Sequence, residues 1–175
     1  HRKEREVGLV SSKLCPYCME PTDSDTCPHC GKDINYIGSP TQLPAGYVVS
    51  GKHPYVLGAV LGQGGFGITY LAEQVNLHRM VCIKEFFPKD YYKRDDNNSS
   101  ISLLSDSFKE NMSRFKAKFV KEAQTIADLE HPNIVGVKDV FEENNTAYYI
   151  MDHVEGESLS EMVKRGGTLS EDVAV

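Results

Sequence analysis

The sequence predicts an α+β fold. Three runs of strand-forming residues come first, then one long amphipathic stretch, then two more strand-like runs. Within each group the runs are joined by turns too short for a crossover helix, which favours a five-stranded antiparallel sheet with one long helix packed on it. Ahead of this unit lies a tight cluster of four cysteines, which sets the first forty residues apart as a small module of their own.

The strands are expected at YVLGAVLG (55–62), GITYLAEQV (67–75) and MVCIKEFF (80–87), each rich in β-branched and aromatic residues. A glycine loop joins the first two and the polar turn NLHR the next two. The polar stretch from Pro88 to Ser102 is expected to be a solvated loop. From Phe108 to Leu129 the period changes: Phe108, Met112, Phe115, Phe119, Ile126 and Leu129 recur at helical spacing. Ser107 and Glu110 fit a capping box at its start, and Pro132 marks its end. Strands IVGVKDVFE and TAYYIMDHV follow, hinged at Asn144-Asn145. A short helix is expected at SLSEMVKR, stopped by Gly166 and Gly167, and another helix start at LSEDVAV.

With 175 residues, 40% apolar, 25% charged and a net charge of −6, the chain has the composition of a globular protein and no broad basic face. Nucleic acid and anionic membrane surfaces are therefore not expected partners. No apolar run reaches the roughly 18 residues of a membrane span, and no signal peptide opens the chain, so a cytoplasmic setting is expected. The chain begins at His1 rather than Met, as an excised piece would. Composition shifts divide it into a module at 1–38, a Pro- and Gly-containing linker at 39–54, and a larger unit at 55–175.

Cys15, Cys18, Cys27 and Cys30 form a C-x2-C-x8-C-x2-C pattern, CPYC and CPHC. Each pair presents two thiolates on one knuckle, and two knuckles supply the four sulfurs that tetrahedral zinc prefers. A module this small cannot bury a useful core, so a structural Zn²⁺ would have to supply its folding energy. Two disulfides are the competing reading, and the missing secretion signal disfavours them. Gly31, directly after Cys30, suits a left-handed knuckle. Residues 1–40 carry five Lys/Arg against six Asp/Glu, which favours a structural or protein-contact role for the ribbon over nucleic-acid binding.

The stretch LGQGGFGITYLA contains Gly62-x-Gly64-x-x-Gly67, with Gly65 and Phe66 inside it. No Lys-Ser or Lys-Thr follows, which excludes a P-loop, and the next segment is a strand rather than the helix a dinucleotide-binding turn requires. A plain hairpin would explain one or two glycines but not four. A nucleotide-covering loop between two strands instead requires a phosphate-binding lysine on the following strand. Lys84 stands there, 17 residues beyond Gly67, in an otherwise apolar run. A lysine in such a strand needs an anionic partner. Glu122 occupies a position on the stripe of Phe115, Phe119 and Ile126, and an acid there also needs a partner.

On these residues the chain from Tyr55 resembles the small lobe of a serine/threonine protein kinase of the bacterial type. LGQGGFGITYLA, VCIKEFFP, EAQTIADLEHPNIV and AYYIMDHVEGESL occur in family order. The resemblance implies that Gly62, Gly64 and Gly67 let the backbone approach the phosphates of ATP, with Phe66 at the loop tip. It implies that Lys84 holds the α- and β-phosphates and pairs with Glu122. Leu61, Gly65, Thr69 and Cys82 would border the nucleotide, Met151 would stand beside the adenine, and Asp152 and Val154 would offer hinge backbone groups. The partners implied are ATP with Mg²⁺ and a protein substrate. Thr69 and Cys82 depart from the family's Val and Ala.

Lys84 and Glu122 are 38 residues apart, more than the family usually needs, and the excess falls between positions 87 and 106. No H-R-D-x-x-x-x-N, D-F-G or A-P-E occurs, so the catalytic base and Mg²⁺ ligands would lie outside this chain. The chain alone is expected to be a truncated, inactive portion of a kinase. The rival expectation is a non-catalytic kinase-like interaction module with a partner-docking ribbon.

Overall fold

The computed structural model describes residues 13–96, 99–168 and 170. The helix start expected at LSEDVAV lies, apart from Ser170, outside the described residues. The elements in chain order are β1 (Lys13–Leu14), β2 (Pro21–Thr22), β3 (Val48–Ser50), β4 (Pro54–Gln63), β5 (Gly67–Gln74), β6 (Arg79–Phe86), β7 (Tyr92–Arg94) and β8 (Ile101–Leu103). Then come α1 (Lys109–Ala127), β9 (Val137–Glu143), β10 (Thr146–Asp152) and α2 (Leu159–Gly166).

Among the described residues the main sheet has six antiparallel strands in the order β3-β4-β5-β6-β10-β9. This is the expected α+β lobe with one strand more than the five read from the sequence. The extra strand is β3, inside the stretch expected to be a linker. Its three residues pair with Pro54–Val56 and bury Val49 completely. Short turns close the hairpins as their residues dictate. Asn144 and Asn145 take φ of 54° and 60° between β9 and β10, the left-handed values that a two-residue turn requires and asparagine tolerates.

Alternation in β5, β6 and β10 sorts their residues onto two faces. Ile68, Tyr70, Ala72, Val81, Ile83, Tyr148 and Ile150 form the larger core, completed by Leu43, Val49, Phe87 and Ile101 from outside those strands. The other face carries Phe86, Ala147 and Tyr149, covered by Phe119 and Ala123 of α1. The sheet is therefore buried on both sides, by the helix on one and by the linker and the 87–106 segment on the other.

That last point corrects the expectation of a solvated loop after Pro88. The segment folds into the β7–β8 hairpin, with Tyr92 opposite Leu103 and Arg94 opposite Ile101. Glu85, fully buried on the core face of β6, bonds Arg94 Nη2 at 2.7 Å. The same carboxylate accepts from Tyr70 Oη at 2.9 Å and Tyr148 Oη at 2.8 Å. Arg94 also donates to the carbonyls of Thr41 and Ser99. Burial opposes the charge on Arg94, but Glu85 beside it prevails and holds the guanidinium above its ordinary value. Burial, reinforced by the Glu85 charge, pushes the Tyr70 and Tyr148 phenols well up.

The long helix starts at Lys109, after a 3-10 turn over Asp106–Phe108 whose cap is Ser105, not Ser107. Ser105 Oγ accepts from the Ser107 N–H, so the cap lies two residues before the expected one. α2 has a full capping box: Ser158 Oγ accepts from Glu161 N, and the Glu161 carboxylate from Ser158 N at 2.8 Å. It ends at Gly167, which adopts φ 79°.

Candidate functional site

β6 places alternate residues on opposite faces, so Lys84 shares the helix-covered face with Cys82 and Phe86, while Glu85 points into the other core. Thr69 and Tyr149 flank Lys84 in register, and Leu71 and Met151 flank Cys82. The sheet thus gathers Thr69, Cys82, Lys84 and Met151 on one surface. Burial raises the Cys82 thiol above its usual range, which leaves it a small neutral packing group at ordinary pH.

The glycine loop closes between β4 and β5, with Gly64 N–H donating to Gly67 O at 2.9 Å. Gly62, Gly64, Gly65 and Gly67 are all absent from the positive-φ residues, so backbone conformation does not call for glycine at any of them. A Cβ at Gly62, Gly64 or Gly65 would meet nothing within 4 Å, whereas one at Gly67 would lie 2.6 Å from the Glu85 carbonyl oxygen. Gly67 is required by the sheet. The other three keep open space over the loop, as close approach of a ligand to the backbone would need.

Lys84, Phe66, Phe86, Phe115, Lys118, Phe119 and Glu122 line a cavity of about 340 Å³ between the loop, the sheet and α1. Lys84 Nζ sits 5.5 Å from the Tyr149 ring centroid and 6.0 Å from that of Phe119. Glu122 shares this cavity but is exposed, and among the described residues no ion pair joins it to Lys84. The expected buried position for Glu122 needs correction. The residues α1 buries are Met112, Phe119 and Ala123, and Phe115 is 39% exposed. The small side chain of Ala123 lets the helix approach the sheet, which rotates Phe115 and Glu122 to the cavity mouth. The buried acid of this region is Glu85, whose sequence signal is its place in the apolar run VCIKEFF.

At the far end of the sheet, Asp152 N–H donates to Gly136 O at 3.1 Å, and its carboxylate pairs with Lys138 at 3.0 Å. Val154, just beyond β10, and Leu61, on β4, are both exposed.

The four cysteines form a second centre. Their sulfurs lie within 4.8 Å of one another, with Cys15–Cys30 at 3.7 Å and Cys18–Cys27 at 3.6 Å. A disulfide would need about 2.05 Å. Four sulfurs around tetrahedral zinc at about 2.3 Å would stand about 3.8 Å apart, so the donor set fits such an ion. The knuckles repeat the same geometry: Met19 N–H bonds Cys15 O and Gly31 N–H bonds Cys27 O, with φ of 58° at Met19 and 73° at Gly31. Burial drives the Cys18 thiol up to about 12. At Cys27 burial is outweighed by the N–H groups of Cys30 and His29, with the neighbouring thiols, and the value falls to about 6.

This architecture defines the small lobe of a protein kinase, and residues 55–175 match the protein kinase domain family. The chain belongs to that family. It is 36% identical to serine/threonine-protein kinase PrkC of Bacillus subtilis (strain 168) over 121 residues, 69% of this chain and 15% of the relative. Serine/threonine-protein kinase B of Synechocystis sp. (strain ATCC 27184 / PCC 6803 / Kazusa) is 28% identical over 160 residues, 90% of this chain and 22% of the relative. An alignment of that length reaches well in front of Tyr55. Among solved structures, one described as "PpkA-294 apo form" superposes with a TM-score of 0.67 at 32% identity, covering 72% of this chain and 43% of that one. The chain therefore spans between 15% and 22% of the length of these two curated relatives. Among the described residues, no helix is long and apolar enough to cross a membrane.

Proposed function

We propose that this chain is the ATP-binding portion of a serine/threonine protein kinase whose full-length form transfers the γ-phosphoryl group of ATP to Ser or Thr hydroxyls. The observation that carries the reading is the space kept open over Gly62, Gly64 and Gly65, in a loop whose backbone does not itself call for glycine, on the same lobe as Lys84. In this reading the loop backbone covers the phosphates and Phe66 shields them from water. Lys84 binds the α- and β-phosphates, and Glu122 swings in from the cavity mouth to pair with it when α1 advances. Thr69, Cys82, Leu61 and Met151 border the adenine, which the backbone of Asp152 and Val154 hydrogen-bonds. Residues beyond this chain would hold Mg²⁺ and supply the catalytic base, and the lobe contributes positioning and charge stabilisation.

Cys15, Cys18, Cys27 and Cys30 would hold a Zn²⁺ whose role is structural, fixing the fold of the ribbon. That no ion pair joins Lys84 to Glu122 among the described residues favours one second reading, a non-catalytic kinase-like module that uses its surface for partners.

The full-length protein with labelled ATP and Mg²⁺ decides between them. Phosphate incorporation into Ser or Thr, lost in Lys84→Met, is the expected outcome. Incorporation that survives Lys84→Met overturns the assignment, and nucleotide binding without any transfer selects the module. Metal analysis should return about one zinc per chain, and a value near zero would sink the metal reading.

A further inference from the structure

The ribbon is not a free appendage. Its first knuckle lies against the outer edge of β4, the strand that leads into the glycine loop. Ala59 N–H donates to Pro16 O at 2.7 Å, between the two cysteines of CPYC. Val60 N–H donates to Tyr36 Oη at 3.1 Å, and Tyr36 is held in turn by an edge-on contact with Tyr17 of the same knuckle at 5.8 Å. The approach is close: a Cβ at Gly58 would stand 2.5 Å from Pro16 O and 2.7 Å from Met19 Sδ.

These bonds fall where β4 is irregular. The pairing of β4 with β5 shifts register between Leu57 and Val60, and again between Val60 and Gly62. A bulged strand bends and leaves backbone groups without ladder partners. Here Pro16 and Tyr36 satisfy two of them, immediately before Leu61 and Gly62. The linker continues the same edge, with Gly46 N–H bonding Leu57 O at 2.7 Å and Gln42 Nε2 bonding Gln63 Oε1 at 2.8 Å.

We infer that Pro16 and Tyr36 are positioning residues for the nucleotide loop, and that the ribbon's partner is the kinase sheet itself. The position of Pro16 is set by the Cys15–Cys18 knuckle, which a four-thiolate metal site would lock. Metal loading and nucleotide binding are then coupled through β4: a locked knuckle holds the bulge, and the bulge sets the path of the loop backbone. Coupling of this kind is reciprocal, so each ligand tightens the other by the same factor. The inference rests on the proposed zinc and ATP sites and adds the link between them.

The test uses the full-length protein, a fluorescent ATP analogue with Mg²⁺, and Zn²⁺ added back to chelator-treated protein. The affinity for the analogue should rise about five-fold or more on zinc loading, the lower end of ordinary coupling factors. Zinc affinity should rise by the same factor when the nucleotide is present. Gly58→Val should abolish both increments while zinc is still bound, and hydrogen exchange at Ala59 and Val60 should accelerate. Tyr36→Phe, which removes only the hydroxyl, should reduce the factor without changing zinc content or the unfolding midpoint appreciably, and it serves as the decisive variant if Gly58→Val does not fold. Both ligands binding with unchanged affinity in each other's presence overturns the coupling alone. No zinc uptake would instead overturn the metal reading, and no nucleotide binding with zinc present the kinase reading, each taking the coupling with it.

Discussion

Arg94 and Glu85 form a buried ion pair at 2.7 Å, with side chains 6% and 0% exposed, that pins the β7–β8 hairpin to the face of the sheet opposite Lys84. Because Glu85 neighbours Lys84 on β6, the strand that presents the lysine is anchored from its opposite face. Breaking such a pair leaves an uncompensated buried charge, which costs about 3–5 kcal/mol. Arg94→Ala should therefore lower the unfolding free energy by about that amount in a denaturant titration. Arg94→Lys should recover only part, since one ammonium cannot replace a guanidinium that also reaches Thr41 and Ser99. Replacing both partners by apolar residues of similar volume should be milder than Arg94→Ala. A loss below about 1 kcal/mol for Arg94→Ala would mean the pair is not what holds the hairpin.

The same cluster sets an alkaline limit. The Tyr70 and Tyr148 phenols donate to Glu85 and are raised by burial and by its charge. A phenol whose folded value lies above its unfolded value of about 10 stabilises the fold fully below pH 10, and that contribution is lost as pH rises further. Of the nine tyrosines, these two should ionise only with unfolding, visible as a late, cooperative step in ultraviolet titration. Smooth titration of all nine before any loss of structure would contradict the buried network.

The reach of the sequence follows from which interactions are local. Runs of β-branched and aromatic residues marked β5 and β6, paired asparagines marked the β9–β10 turn, and Gly166 with Gly167 marked the end of α2. Each of those signals sits within a few residues. The sulfur geometry was equally legible, because C-x2-C spacing leaves a knuckle little choice. The β7–β8 hairpin was not, since strands of three residues beside DDNN look like a solvated loop, and only the distant Glu85 makes Arg94 a core residue. On the helix, Met112 and Phe119 of the expected stripe are buried, but the position read as Glu122 belongs to Ala123, for a comparable reason. Phe115 counts as apolar in any pattern, yet the sheet takes Ala123, and Glu122 follows Phe115 to the cavity mouth.

The glycines of the loop should separate by experiment into two kinds. Gly67→Ala forces a Cβ to 2.6 Å from the Glu85 carbonyl, so β5 and β6 must part, and the cost should be about 1–3 kcal/mol of stability, as for other overpacked sites. Gly64→Ala meets nothing within 4 Å and should leave stability within about 0.5 kcal/mol. Any effect of Gly64→Ala should appear in nucleotide affinity, where a methyl group would stand between the backbone and the phosphates. Paired thermal melts and nucleotide titrations would check both. Equal destabilisation by the two substitutions would refute the distinction.

Phe66, at the tip of the glycine loop, packs on Phe115 of α1 with ring centroids 5.6 Å apart and planes at 45°, closing the loop over the cavity that contains Lys84. A nucleotide whose phosphates reach Lys84 must displace this contact. Aromatic pairs of this kind contribute about 0.5–1.5 kcal/mol beyond their buried area. Removing it with Phe115→Ala should therefore raise nucleotide affinity by roughly two- to ten-fold, the equilibrium equivalent of that energy. Stability should fall only slightly, because Phe115 is already 39% exposed. The substitution leaves Lys84 and every glycine in place, so the gain would come from the loop alone. Unchanged or weaker binding in Phe115→Ala would show that Phe66 does not stand in the nucleotide's way.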